Sequence, residues 1–155
     1  MSTTGEQLLL ELNATWVQAR ELIEGCPNEQ WREGDYVYFV PARQMYHLID
    51  CATILLGNPP KRPPTPKPFG SHWDGPVEAL PSQGQLLDLL GRVEADARDW
   101  IGGLSESKWV DSDIGLSTEK TPLAHVVYAI RHNAYHLAIV NGEMRRRGLA
   151  RMTWR

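Results

Sequence analysis

Apolar residues along this chain fall into four stretches with a helical period. Leu8, Leu12, Trp16, Ala19 and Ile23 recur three or four residues apart behind a capping-box pattern at Thr3 and Glu6. They predict a first helix of about five turns that stops near Gly25-Cys26-Pro27. After a polar and aromatic connection over 28–38, Met45, Leu48, Ile49, Ala52, Leu55 and Leu56 follow the i, i+3, i+4, i+7 rule. This second helix is closed by Gly57 and Pro59-Pro60. Seven prolines between Pro59 and Pro76, with Gly57, Gly70 and Gly75, exclude a helix or an interior strand over 57–81, which reads as a long crossover and a plain connector.

A second capping box, Ser82 and Gln85, restarts the helical pattern, and Leu86, Leu90, Val93, Ala97, Trp100 and Leu104 carry a third helix to about Gly102-Gly103. A loop over 105–120 follows. Thr121 as N-cap and Pro122 at the first helical position then open a fourth helix, with Leu123, Ile130, Leu137 and Met144 on one stripe and Gly148 just past its end. Four amphipathic helices without a strand pattern imply an all-α domain, a four-helix bundle, because each apolar stripe must be covered by the others. The short first connection favours helices 1 and 2 as antiparallel neighbours, whereas the long crossover permits helices 2 and 3 to run parallel.

Composition adds limits more than it adds chemistry. A chain of 155 residues, 42% hydrophobic and 23% charged, suits one globular domain spanning 1–155. No apolar run reaches membrane-span length, the N-terminus lacks a basic region and a cleavage site, and Cys26 and Cys51 alone imply no disulfide framework. A cytoplasmic protein with no membrane partner is expected. The net charge of −3 argues against nucleic acid as a partner. Arg145, Arg146, Arg147, Arg151 and Arg155 instead complement the negative end of the last helix.

The candidate chemistry lies in the histidines. His132 and His136 stand at i and i+4 on helix 4, about one turn apart on one face, which suits two ligands of one ion. His47, beside the apolar stripe of helix 2, is the candidate third ligand, with Asp50 at i+3 placed to orient its imidazole. Three imidazoles with one vacant position are the usual catalytic arrangement for zinc and similar ions. His125 lies about 10 Å along the axis from His132, too far for a shared set of ligands, and reads as a core or rim histidine with a supporting role as the minor alternative. His72 in the crossover reads as a loop residue, Cys51 as a small hydrophobe, and Tyr128 and Tyr135 as pocket lining or surface packing. Asn133 stands where H-E-x-x-H peptidases need a glutamate, and neither a G-x-S-x-G elbow nor a phosphate-binding glycine loop occurs.

The string HVVYAIRHNAYHLAIVNGEMRRRG resembles the last helix of the DinB/YfiT-like superfamily, as do Tyr46-His47-Leu48-Ile49-Asp50, the Pro27-Asn28-Glu29-Gln30-Trp31 helix ending and the Thr121-Pro122 start. The resemblance spans nearly the whole chain. It implies an up-down-down-up bundle, a metal site of His47, His132 and His136, and a homodimer. It also implies either a thiol-dependent S-transferase using a low-molecular-weight thiol or a metal-dependent hydrolase acting on a small-molecule substrate. Ala138 and Ile139 replace the family's usual Gly-Gln after the second histidine of helix 4. The expected cofactor is one divalent ion, Zn or Ni before Fe, Mn or Cu, since imidazoles suit several. The alternative is a bundle that binds a metal or small ligand without turnover, in a structural or sensory role.

Overall fold

The computed structural model describes residues 1–57, 67–111, 121–149 and 152–153. They form four helices and no strand: α1 (Thr3–Gly25), α2 (Pro41–Leu56), α3 (Gln83–Gly102) and α4 (Pro122–Arg146), with short 3-10 turns between them. No helix among the described residues is long and apolar enough to cross a membrane.

The helix starts follow local chemistry. Ser82 and Gln85 form a reciprocal capping box at α3, and the Thr121 hydroxyl accepts from the Ala124 amide at α4 with Pro122 next in line. At α1 the cap lies one residue earlier than the pattern suggested. Ser2, not Thr3, accepts from the Gly5 amide, and its hydroxyl also accepts the Trp109 indole N–H at 2.7 Å. At the far end of α4, Gly148 sits at φ +71°, and the Gly148 and Leu149 amides donate to the Arg145 and Met144 carbonyls in a Schellman closure.

The packing corrects the expected adjacency of the first two helices. Both α1 and α2 pack against α3 and α4, while α1 and α2 face each other across the diagonal. Side-chain pairs fix the directions. Gln83, opening α3, donates to the Ile23 and Cys26 carbonyls at the end of α1, and Trp109 beyond α3 reaches Ser2, so α1 and α3 are antiparallel. Asn133 donates to Thr15, and Thr153 meets Gln18 and Glu21, so α4 runs with α1. Gln44 and His47 meet His136 and His132 in reversed order, so α2 opposes α4 and shares its direction with α3.

The predicted stripes of α1 and α2 are buried throughout, as are Leu86, Leu90, Val93 and Ala97 of α3. Trp100 and Leu104 lie at the edge of the core. In α4 the buried stripe is rotated from the predicted one. It runs through Val126, Ala129, Asn133, Leu137, Val140 and Met144, leaving Leu123 and Ile130 only partly covered. The polar Asn133 in mid-stripe hid this register.

The part of the crossover that the structure describes is strapped down and is no plain connector. Arg43 donates from Nη1 to the His72 carbonyl at 2.6 Å and from Nη2 to the Gly75 carbonyl at 2.6 Å. The Tyr46 hydroxyl accepts from the Phe69 amide and donates to the Gly70 carbonyl, both at 3.1 Å. Gly70 turns the chain there at φ +76°, a backbone state that favours glycine. The predicted closure of α2 by Pro59-Pro60 and most of the 105–120 loop lie outside the described residues, as do Arg151 and Arg155.

Candidate metal centre

The antiparallel pair α2 and α4 brings three predicted imidazoles together. His47 projects from α2 toward α4, and its ring centroid lies 5.2 Å from that of His132 and 4.6 Å from that of His136. His132 and His136, one turn apart, have ring centroids 4.5 Å apart. The closest approach is His47 Nε2 to His132 Nε2, at 3.3 Å. Two nitrogens bound tetrahedrally to one ion at ~2.0–2.1 Å stand about 3.3 Å apart, so this pair already has the spacing of shared ligation.

The protonation state suits that use. Burial is the main cause that pushes His47 down to about 3, with the neighbouring His136, His72 and His132 adding to it. Burial likewise lowers His136 to about 4, with His132 adding to it, and burial also lowers His132. All three are neutral imidazoles at pH 7, each with one nitrogen lone pair and no proton to displace from it.

For His136 the free nitrogen is fixed by a neighbour absent from the sequence reading. Gln44 lies under it on α2, and the Gln44 amide NH2 donates to the Tyr38 carbonyl at 2.6 Å. A carbonyl only accepts, so the other end of the amide, Oε1, must face His136 Nδ1 at 2.7 Å. His136 therefore carries its proton on Nδ1, and Nε2 holds the lone pair, the arrangement by which outer partners commonly orient metal-binding histidines.

Cys51, expected as a simple packing residue, belongs to the group. One thiol or imidazole atom from each of His47, Cys51 and His132 lies within 4.8 Å of the others, close enough for these three to hold a metal ion; His136, whose ring is adjacent, falls outside that tighter group. Cys51 Sγ is 3.7 Å from His47 Nδ1 and 3.8 Å from His47 Nε2. Burial, with Asp50 adding to it, pushes the thiol up to about 12, so in the metal-free protein it stays protonated.

Two expectations are corrected. Asp50 does not pair with His47; its carboxylate meets His72 Nε2 at 2.7 Å, both side chains being buried. His72, passed over as a loop residue, is 3% exposed, and its Nδ1 is 3.3 Å from His47 Nδ1. His125 is buried and packs edge-on against Trp100 of α3. Around the group, Trp73 lies 4.9 Å from the His47 ring, and Tyr128, Arg131, His132 and Tyr135 line a shallow surface cavity beside it. Arg131 lies over the Tyr128 ring at 5.4 Å.

The family model described as the DinB superfamily matches residues 11–140. That span takes in α2 and all four histidines gathered around the centre. A comparison with curated proteins found no match.

Proposed function

The chain belongs to the DinB superfamily, and from that premise we propose that it binds one divalent metal ion through His47, His132 and His136 and uses it in catalysis. The 3.3 Å approach of His47 Nε2 to His132 Nε2 carries the reading. The tautomer that Gln44 imposes on His136 supports it.

When bound, such an ion supplies Lewis-acid chemistry that lowers the pKa of a thiol or a water. The protein's own part is to hold three neutral imidazoles in place on a helix whose Met45, Leu48 and Ile49 are anchored in the core. On the open side, Tyr128 and Tyr135 offer hydroxyls and Arg131 a fixed positive charge to an incoming substrate. We propose a thiol-dependent S-transferase or a hydrolase, with Zn or Ni as the ion and a small-molecule substrate or low-molecular-weight thiol as partner. A cytoplasmic location and a homodimer are part of this proposal.

A second reading rests on Cys51. Its sulfur groups with His47 and His132; if it joins them and His136, the ion has four protein ligands, the closed arrangement of a structural site, and no vacancy for substrate. Elemental analysis and cobalt spectra of the purified protein separate the two. Wild type should carry one equivalent of ion and His132→Ala should lose it. Cys51→Ala should keep the ion if the site is open and catalytic, and should lose a sulfur-to-cobalt charge-transfer band only if the site is closed. Wild-type protein that takes up neither zinc nor nickel would refute both readings. Metal-dependent consumption of a low-molecular-weight thiol or an ester would then decide for the enzyme.

A further inference from the structure

Among the described residues, no backbone carbonyl or carboxylate bonds to His47, the kind of partner that usually orients a metal-binding histidine. Its Nδ1 faces another imidazole, His72 Nδ1, at 3.3 Å. We propose that Asp50 and His72 act together as a positioning relay that holds His47 in its Nδ1–H form, presenting the Nε2 lone pair to the centre before any ion arrives.

The proton positions follow from the donors around His72. Lys67 Nζ lies 3.2 Å from His72 Nδ1, and an ammonium only donates, so that nitrogen holds a lone pair. The proton of the neutral ring is then on Nε2, where it is donated to the Asp50 carboxylate at 2.7 Å. With His72 Nδ1 accepting, His47 Nδ1 must carry the hydrogen, because two lone pairs 3.3 Å apart would repel. His47 Nε2 is left as the acceptor of the hydrogen on His132 Nε2, a proton that has to pass to His132 Nδ1 when an ion takes its place. Lys67 and His47 both donate to that one lone pair in a three-centre contact, Lys67 from an exposed position and His47 from a half-buried one. Cys51 Sγ, 3.7 Å from that nitrogen, is a weak acceptor and offers little competition.

The relay is anchored at both ends. Asp50 stands one turn beyond His47 on α2, and His72 is held by Arg43 on its own carbonyl, by the edge of Tyr46 at a ring separation of 4.6 Å, and by Trp73 over His47. In water a neutral histidine side chain prefers the Nε2–H form, which would turn a hydrogen toward the ion. The relay removes that preference. It also passes the positive charge that ligation draws onto His47 Nδ1–H toward the buried Asp50 carboxylate, making His47 a more basic ligand. Its usefulness to the protein rests on the metal reading, but its geometry does not.

Long-range 1H–15N correlation spectra of the metal-free, 15N-labelled protein read the tautomer directly. Wild-type His47 should show the Nδ1–H pattern. In His72→Phe, which keeps a ring but removes the acceptor, His47 should revert to Nε2–H, and Zn2+ affinity in chelator competition should fall about tenfold or more. An Nε2–H pattern in the wild-type protein overturns the relay. So does a loss of affinity in His72→Phe with the His47 tautomer unchanged, since that marks a merely structural role. A wild-type Nδ1–H pattern in protein that binds no Zn2+ upholds the relay and removes the metal reading instead. Should His72→Phe fail to fold, the wild-type spectrum alone decides.

Discussion

At the scale of single residues, the site depends on partners whose spacing along the chain carries no signal. His132 and His136 were legible because a separation of four places two side chains on one helix face. His47 was legible from its place beside an apolar stripe. Gln44 was not, since nothing local distinguishes a glutamine that will meet an imidazole on another helix from one that will meet water. Asp50 was assigned to the wrong histidine for a related reason. The i+3 rule names its neighbour on α2 but not what packs onto that face from elsewhere, and what arrives is His72. The Gln44 contact has a measurable consequence. Gln44→Leu keeps the volume and removes the acceptor, freeing His136 to turn its N–H inward, so Zn2+ affinity should drop about tenfold to a hundredfold. Chelator competition would measure this, with circular dichroism expected to show the helix content unchanged. An unaltered affinity would mean that His136 is not oriented through Gln44 or is not a ligand.

At the scale of elements, α2 does more than fill the core. Its Met45, Leu48, Ile49 and Ala52 are buried against the bundle, while Arg43, Tyr46 and Asp50, spaced i, i+3 and i+7, form a second stripe that grips residues 69–75. The helix limits were readable because caps are local chemistry, and even the misplaced start of α1 missed by a single residue. The strap was not readable. Prolines correctly exclude helix, but they say nothing of whether an extended segment lies free or is hydrogen-bonded to a helix face. Tyr46→Phe tests how firmly the strap is held. It removes one hydroxyl that serves two backbone groups, so unfolding free energy in urea should fall by about 1–3 kcal/mol. Amide exchange at Phe69 should accelerate more than exchange in α3, because the loss is local. Equal acceleration everywhere would place the hydroxyl's effect in the core and not in the strap.

At the scale of the whole molecule, the diagonal placement of α1 and α2 is what allows α2 and α4 to face each other with the histidines between them. Connection length misled on this point. The 26–40 connection carries Trp31, fully buried and donating its indole N–H to the Pro81 carbonyl at 2.9 Å, so it crosses the end of the bundle as part of the core. Its later part is then clamped to the far end of α4. Glu143 is the hub of that clamp, accepting from Arg146 at 2.7 and 2.9 Å and from Arg147 at 2.6 Å. Arg146 continues to Asp35, and Arg147 to the Glu33 and Phe39 carbonyls. The basic run read as a complement to the helix end therefore has a more specific use, holding the segment that supplies the Tyr38 carbonyl to Gln44.

Hydrogen bonds from Arg146 and then Arg147, with their charges, outweigh burial and lower Glu143 from its ordinary 4.5 to about 2. A carboxylate whose pKa is depressed in the folded state contributes stability above its unfolded value and loses that contribution as pH falls through the folded one. Wild-type protein should therefore lose urea resistance between pH 4.5 and 2 more steeply than Glu143→Gln, which has no proton to take up there, and the two curves should converge near pH 2. Parallel curves across that interval would show that the clamp does not depend on the Glu143 charge. Because the clamp carries the Tyr38 carbonyl, and through it the orientation of Gln44, Glu143→Gln at pH 7 should also weaken Zn2+ binding, though less than Gln44→Leu.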